Sequence, residues 1–304
     1  MNKEYIFNEL VKKLDKKDIK IDEPMKKHIS FKVGGPADIL VRPRNEEQIR
    51  YIMNLIKEEK IPFLIIGNGS NLIIRDGGIR GIVIELSDNF SEINIENNIV
   101  EVQSGALLSI IGHKILESSL KGFEFATGIP GTIGGAVSMN AGAYGGEISE
   151  IVKSVRVMDL QGNINEYSNE EMDFGYRRSI ITNNPYIVLS CKIELENGDY
   201  DEIKKNINEL ADKRKTKQPL NFPSAGSTFK RPEGHFAGQL IDESGLRGFT
   251  HKGAQVSEKH CGFVINKGNA TANDLLELIS IIKERVYSNT GVMLEEEVKI
   301  LGEN

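Results

Sequence analysis

Two glycine-dense stretches are the first residues that invite a chemical reading. GNGSN occupies 67–71, directly after an apolar run, and GIPGTIGGAVSMNAGAYGG occupies 128–146. The second holds 7 of the chain's 30 glycines in 19 residues, where even spreading would give about two. Glycine lacks a Cβ, so successive main-chain N–H groups can converge on an anion, and a flat ring or a pyrophosphate can approach the backbone closely. A dinucleotide needs that kind of cradle; tight turns in a β-rich domain are the plain alternative for either loop alone. A nicotinamide-type G-x-G-x-x-G reading fails on its own motif, because Leu72 stands where the third glycine belongs.

Three shorter runs concentrate groups that could hold or move charge: FGYRRS (174–179), SAGSTFKRP (224–232) and LEEEVKI (294–300). Each has an ordinary explanation. An arginine pair often lies on a solvated face, a serine between glycine and threonine often sits in a turn, and glutamates at a strand edge usually face water. Alternation along a strand would set Glu295 and Glu297 on one face and Glu296 on the other, leaving the first two unseparated by geometry. Cys261 beside His260 is a poor tetrahedral metal site, Cys191 lies far away without C-x-x-C spacing, and the five histidines form no H-E-x-x-H pattern. A reduced compartment and no metal are expected.

The elements that must position these groups follow from periodicity. Ile6, Leu10, Val11 and Leu14 mark an amphipathic N-terminal helix. Then come a strand at 37–42, a helix NEEQIRYIMNLIKEE with Asn45 as its cap, and a strand at 62–67, a small βαβ unit. Strands at 72–75, 81–86, 92–96 and 99–104 follow, the last two split by Asn97 and Asn98 as in a hairpin. After a helix near 106–119 and the long glycine-rich loop, 151–160 and 163–168 form a second hairpin about Gln161-Gly162, with a further strand at 186–195. A charged helix over 199–216 ends before Pro219, and the punctuation of LNFPSAGSTFKRPEG marks a change of unit near residue 210. The remainder predicts a helix at 236–244, a strand at 262–266, a helix at 272–288 with Leu275, Leu276, Ile279, Ile282 and Val286 inward, and a strand at 292–300.

Bulk properties bound the reading. A chain of 304 residues, 39% apolar and 27% charged, can bury a core of roughly two domains without staples. A formal net charge of −6 gives no footprint for nucleic acid or an anionic bilayer, so an anionic ligand must be held by a local site. The N-terminus lacks the apolar core of a secretory signal and nothing approaches eighteen consecutive apolar residues, so a cytoplasmic protein with no membrane partner is expected.

GNGSNLIIRDGG and GIPGTIGGAVSMNAGAYGG together resemble the FAD-binding domain of the vanillyl-alcohol-oxidase type flavoproteins. With the later YR, AGS and EV motifs, the likeness over about residues 20–302 is to the UDP-N-acetylenolpyruvoylglucosamine reductase (MurB) family. The inserted segment of one subgroup has no equivalent here, so the chain resembles the shorter, second type. The resemblance implies an α+β fold, with a two-subdomain FAD-binding unit of the vanillyl-alcohol-oxidase/PCMH type followed by a smaller α+β substrate-binding domain. Its expected divisions are 1–86 (N-terminal helix and first FAD-binding subdomain), 87–210 (second subdomain) and 211–304 (substrate-binding domain with a returning catalytic tail). It implies FAD as cofactor, NADPH as co-substrate, and reduction of UDP-N-acetylglucosamine enolpyruvate to UDP-N-acetylmuramate in peptidoglycan precursor synthesis, with no obligatory protein partner.

Carried over motif by motif, the family places Gly67, Asn68, Gly69, Ser70 and Asn71 around the FAD pyrophosphate and Gly131, Thr132, Gly134, Gly135 and Asn140 on the other side of the cofactor. Arg177 matches the arginine of its YR motif, Ser227 the serine of AGS, and Glu297 the acid before valine. The family often carries proline where this chain has Glu296. Tyr176 is a neighbour at the substrate, while Arg214 and Lys217, with Lys230 assisting, match basic residues that meet phosphates of the nucleotide-sugar. With no second dinucleotide fingerprint, NADPH and the sugar are expected to use one site in turn. An FAD oxidase acting elsewhere would share the first domain without needing Arg177, Ser227 and Glu297 together, and a non-catalytic anion-binding protein would be colourless. An interaction module fits least, for the chain shows no coiled-coil heptad or charge block.

Overall fold

Asn45 shows how local chemistry sets the first layer. Its side chain accepts the Gln48 N–H at 2.9 Å, and Glu46 and Glu47 occupy the first turn of the helix Glu46–Glu59, where carboxylates favour the positive end of the dipole. Ile49, Ile52, Met53 and Ile56 repeat at helical spacing and are buried, packing in one cluster with Ile39, Val41, Ile82 and Ile84 of the strands beneath and with Ile6 and Leu10 of the helix Lys3–Leu10.

The computed structural model describes residues 1–304. They form two compact units: Met1–Ile21, Ile39–Asn68 and Gly81–Lys213 make the first, and Asp22–Asp38, Gly69–Arg80 and Arg214–Asn304 the second. No helix is long and apolar enough to cross a membrane.

A four-stranded sheet has the order Ile19–Pro24, Pro36–Val41, Ile79–Glu85, Phe63–Ile66. The predicted βαβ unit is present, with Ile79–Glu85 inserted between its two strands and running parallel to Phe63–Ile66. A five-stranded sheet has the order Ile164–Ser168, Val152–Met158, Ile187–Glu194, Ile99–Gln103, Ile93–Glu96, and every neighbouring pair is antiparallel. Both predicted hairpins are there; Asn97 turns the first at φ 55° and Gly162 the second at φ 82°. Val100, Val102, Val155 and Cys191 from this sheet share a core with Ile111 and Ile115 of the helix Leu108–Glu117.

The stretch 128–146 is not all loop. Thr132 caps a short helix, Ile133–Ser138, and a two-stranded hairpin pairs Gly142–Ala143 with Gly146–Glu147. Glycine counts concealed this because they lower helix propensity, while packing of Ile133, Ala136 and Val137 in the core overrides it.

The second unit contains a three-stranded antiparallel sheet, Thr250–His251, Ala254–Val256, Val264–Asn266, and the helix Ala272–Thr290. A reciprocal cap between Thr271 and Asp274 starts that helix, the Asp76 carboxylate accepts the Ala272 and Asn273 N–H groups at 3.0 Å each, and Gly291 ends it at φ 72°. Its inward face is Leu275, Leu278, Ile279, Ile282 and Val286; Leu276 is only half-buried, a correction of one position. The predicted strand at 292–300 is also shorter. Lys299–Leu301 pairs parallel to Leu72–Ile74, but Glu297 and Val298 N–H groups both point to the Thr228 carbonyl, at 2.8 and 3.4 Å. Two residues against one is the pattern of a bulge, which interrupts a continuous ladder.

Glu277, in the same helix, accepts from Lys252 at 2.7 Å, meets His251 at 2.6 Å and accepts from Asn273 at 2.8 Å. The Lys252 hydrogen bond, then that of His251, holds its carboxyl down to about 2. A folded-state pKa below the ordinary 4.5 contributes stability that is complete above that value and fades as pH falls toward about 2. Thermal melts taken from pH 7 down to 2.5 should therefore lose less midpoint temperature in Glu277→Gln than in the unsubstituted chain.

Candidate active site

In the first unit the two glycine loops rest on each other. The Asn68 side-chain amide donates to the Pro130 carbonyl at 3.1 Å, and a Cβ placed on Gly67 would lie 2.1 Å from Thr132 Oγ1. Thr132 is buried and its hydroxyl faces the Gly135 N–H at 3.5 Å as the helix cap. Main-chain bonds fix the shelf: Leu108 N–H to the Gly131 carbonyl at 3.0 Å and Gly134 N–H to the Ser104 carbonyl at 2.9 Å. Gly135 is exposed, with Thr132 Oγ1 the nearest approach to its would-be Cβ at 3.6 Å. A backbone shelf with tight glycines behind and an open one in front fits the approach of a flat or phosphorylated ligand.

The rest of the first motif belongs to the second unit. Gly69 stands at φ 57°, where a Cβ would fall 2.3 Å from the His28 carbonyl. Ser70 follows, and Asn71 donates from its side chain to the Glu297 carbonyl at 3.0 Å while its own carbonyl accepts the Lys299 N–H at 3.0 Å. The end of GNGSN and the tail motif are thus joined directly.

Glu297 is half-buried, its N–H bonded to the Thr228 carbonyl. Lys230 N–H reaches the Glu295 carbonyl at 2.9 Å, and Phe229 and Glu296 form a bridge between the two segments. Ser227 and Glu297, 70 positions apart in the sequence, therefore sit on paired antiparallel segments. Ser227 is exposed, whereas its neighbour Thr228 is fully buried and its hydroxyl accepts the Val264 N–H at 3.0 Å. The three glutamates separate cleanly. Glu295 meets Lys230 at 3.1 Å near the surface, Glu296 meets Lys283 at 2.7 Å, and Glu297 is held through its peptide on both sides. Thr228 and Lys283 carry no mark in the sequence: Thr228 and Phe229 are both buried beside the exposed Ser227, which residue types alone do not show.

Arg177 belongs to the first unit. Gly175 to Arg178 form a tight turn closed by Arg178 N–H to the Gly175 carbonyl at 3.1 Å and the reciprocal bond at 3.0 Å. Arg177 occupies the third place at φ 55°, and its guanidinium stacks on the exposed Tyr176 ring, 5.1 Å from the centroid. Arg214 and Lys217 lie in the last turn of the helix Tyr200–Lys217, Arg214 half-buried and Lys217 exposed.

Asn140 is buried rather than presented to a ligand. Its Nδ2 donates to Glu147 Oε2 at 3.0 Å and to the Gly175 carbonyl at 3.2 Å, and its Oδ1 accepts the Ser149 N–H at 2.9 Å. Neither cysteine offers a thiolate, since burial pushes Cys191 up to about 12 and also raises Cys261. Burial lowers the His260 pKa, and its Nδ1 accepts the Gly262 N–H at 3.1 Å. No group of three or more His, Cys, Asp or Glu side chains converges in a way that could hold a metal.

Comparison with known proteins bears directly on this arrangement. The FAD binding domain, as a family, matches residues 37–168, and the C-terminal domain of UDP-N-acetylenolpyruvoylglucosamine reductase matches residues 218–301. A UDP-N-acetylenolpyruvoylglucosamine reductase of Clostridioides difficile is 66% identical over 304 residues, covering all of both chains. This chain belongs to the UDP-N-acetylenolpyruvoylglucosamine reductase family. A reductase of the same name from Alkaliphilus oremlandii is 52% identical over 303 residues, again end to end. The solved MurB reductase of Thermus caldophilus superposes with a TM-score of 0.79 at 34% identity, covering 91% of this chain and 97% of that one. A glucose dehydrogenase, Phl p 4.0202, shares the fold at a TM-score of 0.50 and 16% identity, over 64% of this chain and 44% of its own. The expected α+β fold with an FAD-binding domain is thus met, and the family is the one the motifs resembled.

Proposed function

We propose that this chain is an FAD-dependent oxidoreductase that reduces UDP-N-acetylglucosamine enolpyruvate to UDP-N-acetylmuramate at the expense of NADPH, a step in making peptidoglycan precursors. One observation carries the reading: an FAD binding domain and the C-terminal domain of the reductase occur in one chain, at 37–168 and 218–301. An FAD enzyme acting on another substrate would account for the first match and leave the second without a reason.

Gly67, Asn68, Gly69, Ser70, Asn71, Gly131, Thr132, Gly134 and Gly135 would hold FAD. When bound, FAD supplies the hydride chemistry that links NADPH oxidation to reduction of the enol ether. The protein's part follows from the charge that reaction creates. Hydride addition to the outer carbon of the enolpyruvyl group moves an electron pair toward the inner carbon and its carboxylate, so a fixed cation and a hydrogen-bond donor lower the barrier. The Arg177 guanidinium serves as the cation, and the Glu297 carboxyl serves as the donor. The Ser227 hydroxyl delivers one proton to the inner carbon, which completes the saturated product. Arg214, Lys217 and Lys230 bind the diphosphate, and Tyr176 borders the sugar while its ring orients Arg177.

The purified protein should be yellow, bleach anaerobically with NADPH, and regain its colour on addition of the enolpyruvyl UDP-sugar. A colourless protein that binds the nucleotide-sugar would overturn the redox assignment. Gly67→Ala tests the shelf: a methyl group 2.1 Å from Thr132 Oγ1 must displace that turn, so the purified variant should carry several-fold less flavin per chain by visible absorbance.

A further inference from the structure

We infer that Asn140 is a positioning residue for Arg177 and not a ligand of the cofactor. The resemblance placed Asn140 at FAD, yet the side chain is 1% exposed and both ends of its amide are spent on the protein. One of those bonds goes to the Gly175 carbonyl, the same oxygen that closes the Gly175–Arg178 turn by accepting the Arg178 N–H. Arg177 lies two residues further on, inside that turn. The backbone gives the arrangement little slack: Asn140 stands at φ 45° and Arg177 at φ 55°, and a Cβ on Gly175 would lie 2.5 Å from Arg178 Nε. Asparagine tolerates the left-handed region better than most residues, and its short amide is what lets one side chain bridge 147, 149 and 175. Glu147 and Ser149 act as the far anchors, so the carboxamide is a strut between the 147–149 segment and the turn that carries the arginine.

The inference rests on Arg177 acting in the reaction. A guanidinium that must meet a developing enolate tolerates little misplacement, and a shift of about 1 Å can cost around 10²-fold in rate. Removing the strut should therefore slow the sugar half-reaction while leaving the cofactor in place.

Asn140→Gly is the cleaner variant, because glycine accepts φ 45° and only the amide is lost. Asn140→Asp keeps the volume and the left-handed preference but replaces both donor bonds with a carboxylate facing Glu147. In either holoenzyme the flavin-to-protein ratio and the rate of bleaching by NADPH should stay within about twofold of the unsubstituted protein. Recovery of colour with the enolpyruvyl sugar should slow about 10- to 100-fold, appearing in kcat more than in KM. In an Arg177→Met background the same Asn140 change should have almost no further effect, since the two residues act as one unit. Loss of flavin with normal turnover per bound flavin would make Asn140 a cofactor ligand and overturn the inference, as would unchanged kinetics or additive effects in the double variant. Failure of both variants to reach a native circular-dichroism spectrum would assign Asn140 to folding and overturn it too. If Arg177→Met alone leaves the sugar half-reaction intact, the role given to Arg177 fails; if it slows that step and Asn140→Gly does not, the strut alone fails.

Discussion

Ser227→Ala should leave bleaching of the bound flavin by NADPH close to its unsubstituted rate and slow the return of colour with the enolpyruvyl sugar about 10²- to 10⁴-fold, the usual size of a lost general acid. The structure makes this a clean experiment. Ser227 is exposed, so its hydroxyl is not a core group, while the segment it sits on is pinned one residue later by Thr228, which bonds to Val264, Gly262 and Glu297. Removing one oxygen should leave that pinning and the melting temperature unchanged. Rapid-mixing absorbance of each half-reaction checks the outcome. Equal slowing of both halves would remove Ser227 from the proton-donor role, and a fall only in sugar affinity would make it a binding group.

Arg177→Met should lower kcat for reduction of the sugar by about 10²- to 10³-fold, the range seen when a preorganised group facing developing charge is removed. Methionine keeps an unbranched chain that can still lie against the Tyr176 ring, so the change isolates the charge and the planar fork. Arg177→Lys should restore part of the rate, because an ammonium supplies charge without two parallel donors. Steady-state kinetics separates the alternatives. A rise in KM at constant kcat would mean that Arg177 holds the substrate equally before and during the reaction and does not favour the transition state.

How much of this could be read from residues alone depended on range. Elements set by local periodicity and caps were legible: Asn45 before the helix Glu46–Glu59, the Asn97 and Gly162 hairpin turns, and the run of inward residues in the helix Ala272–Thr290. Leu276 and Leu278 flank the inward stripe from opposite sides, about 160° apart around the helix axis, and apolar identity does not choose between the flanks because both positions are leucine. The shortened strand at 299–301 was illegible for another reason. A bulge depends on where the Thr228 carbonyl lies, and that is fixed by Gly262 and Val264, not by anything within LEEEVKI. The same holds for the three glutamates, which identical side chains make indistinguishable in sequence and which Lys230, Lys283 and Asn71 tell apart in the fold. Motif resemblance placed Asn140 at the cofactor, and only the positions of Gly175 and Glu147 show where its amide points.

The parallel pairing of Leu72–Ile74 with Lys299–Leu301 joins segments about 230 residues apart. During synthesis at about 5–20 residues per second, the earlier strand waits on the order of 10 to 50 seconds for its partner to leave the ribosome. Contacts of such sequence separation are entropically late, so this strand pair should be among the slow events of folding. Until then the apolar strand edge at 72–74 is open to other chains, which makes a crowded nascent protein most vulnerable to aggregation there.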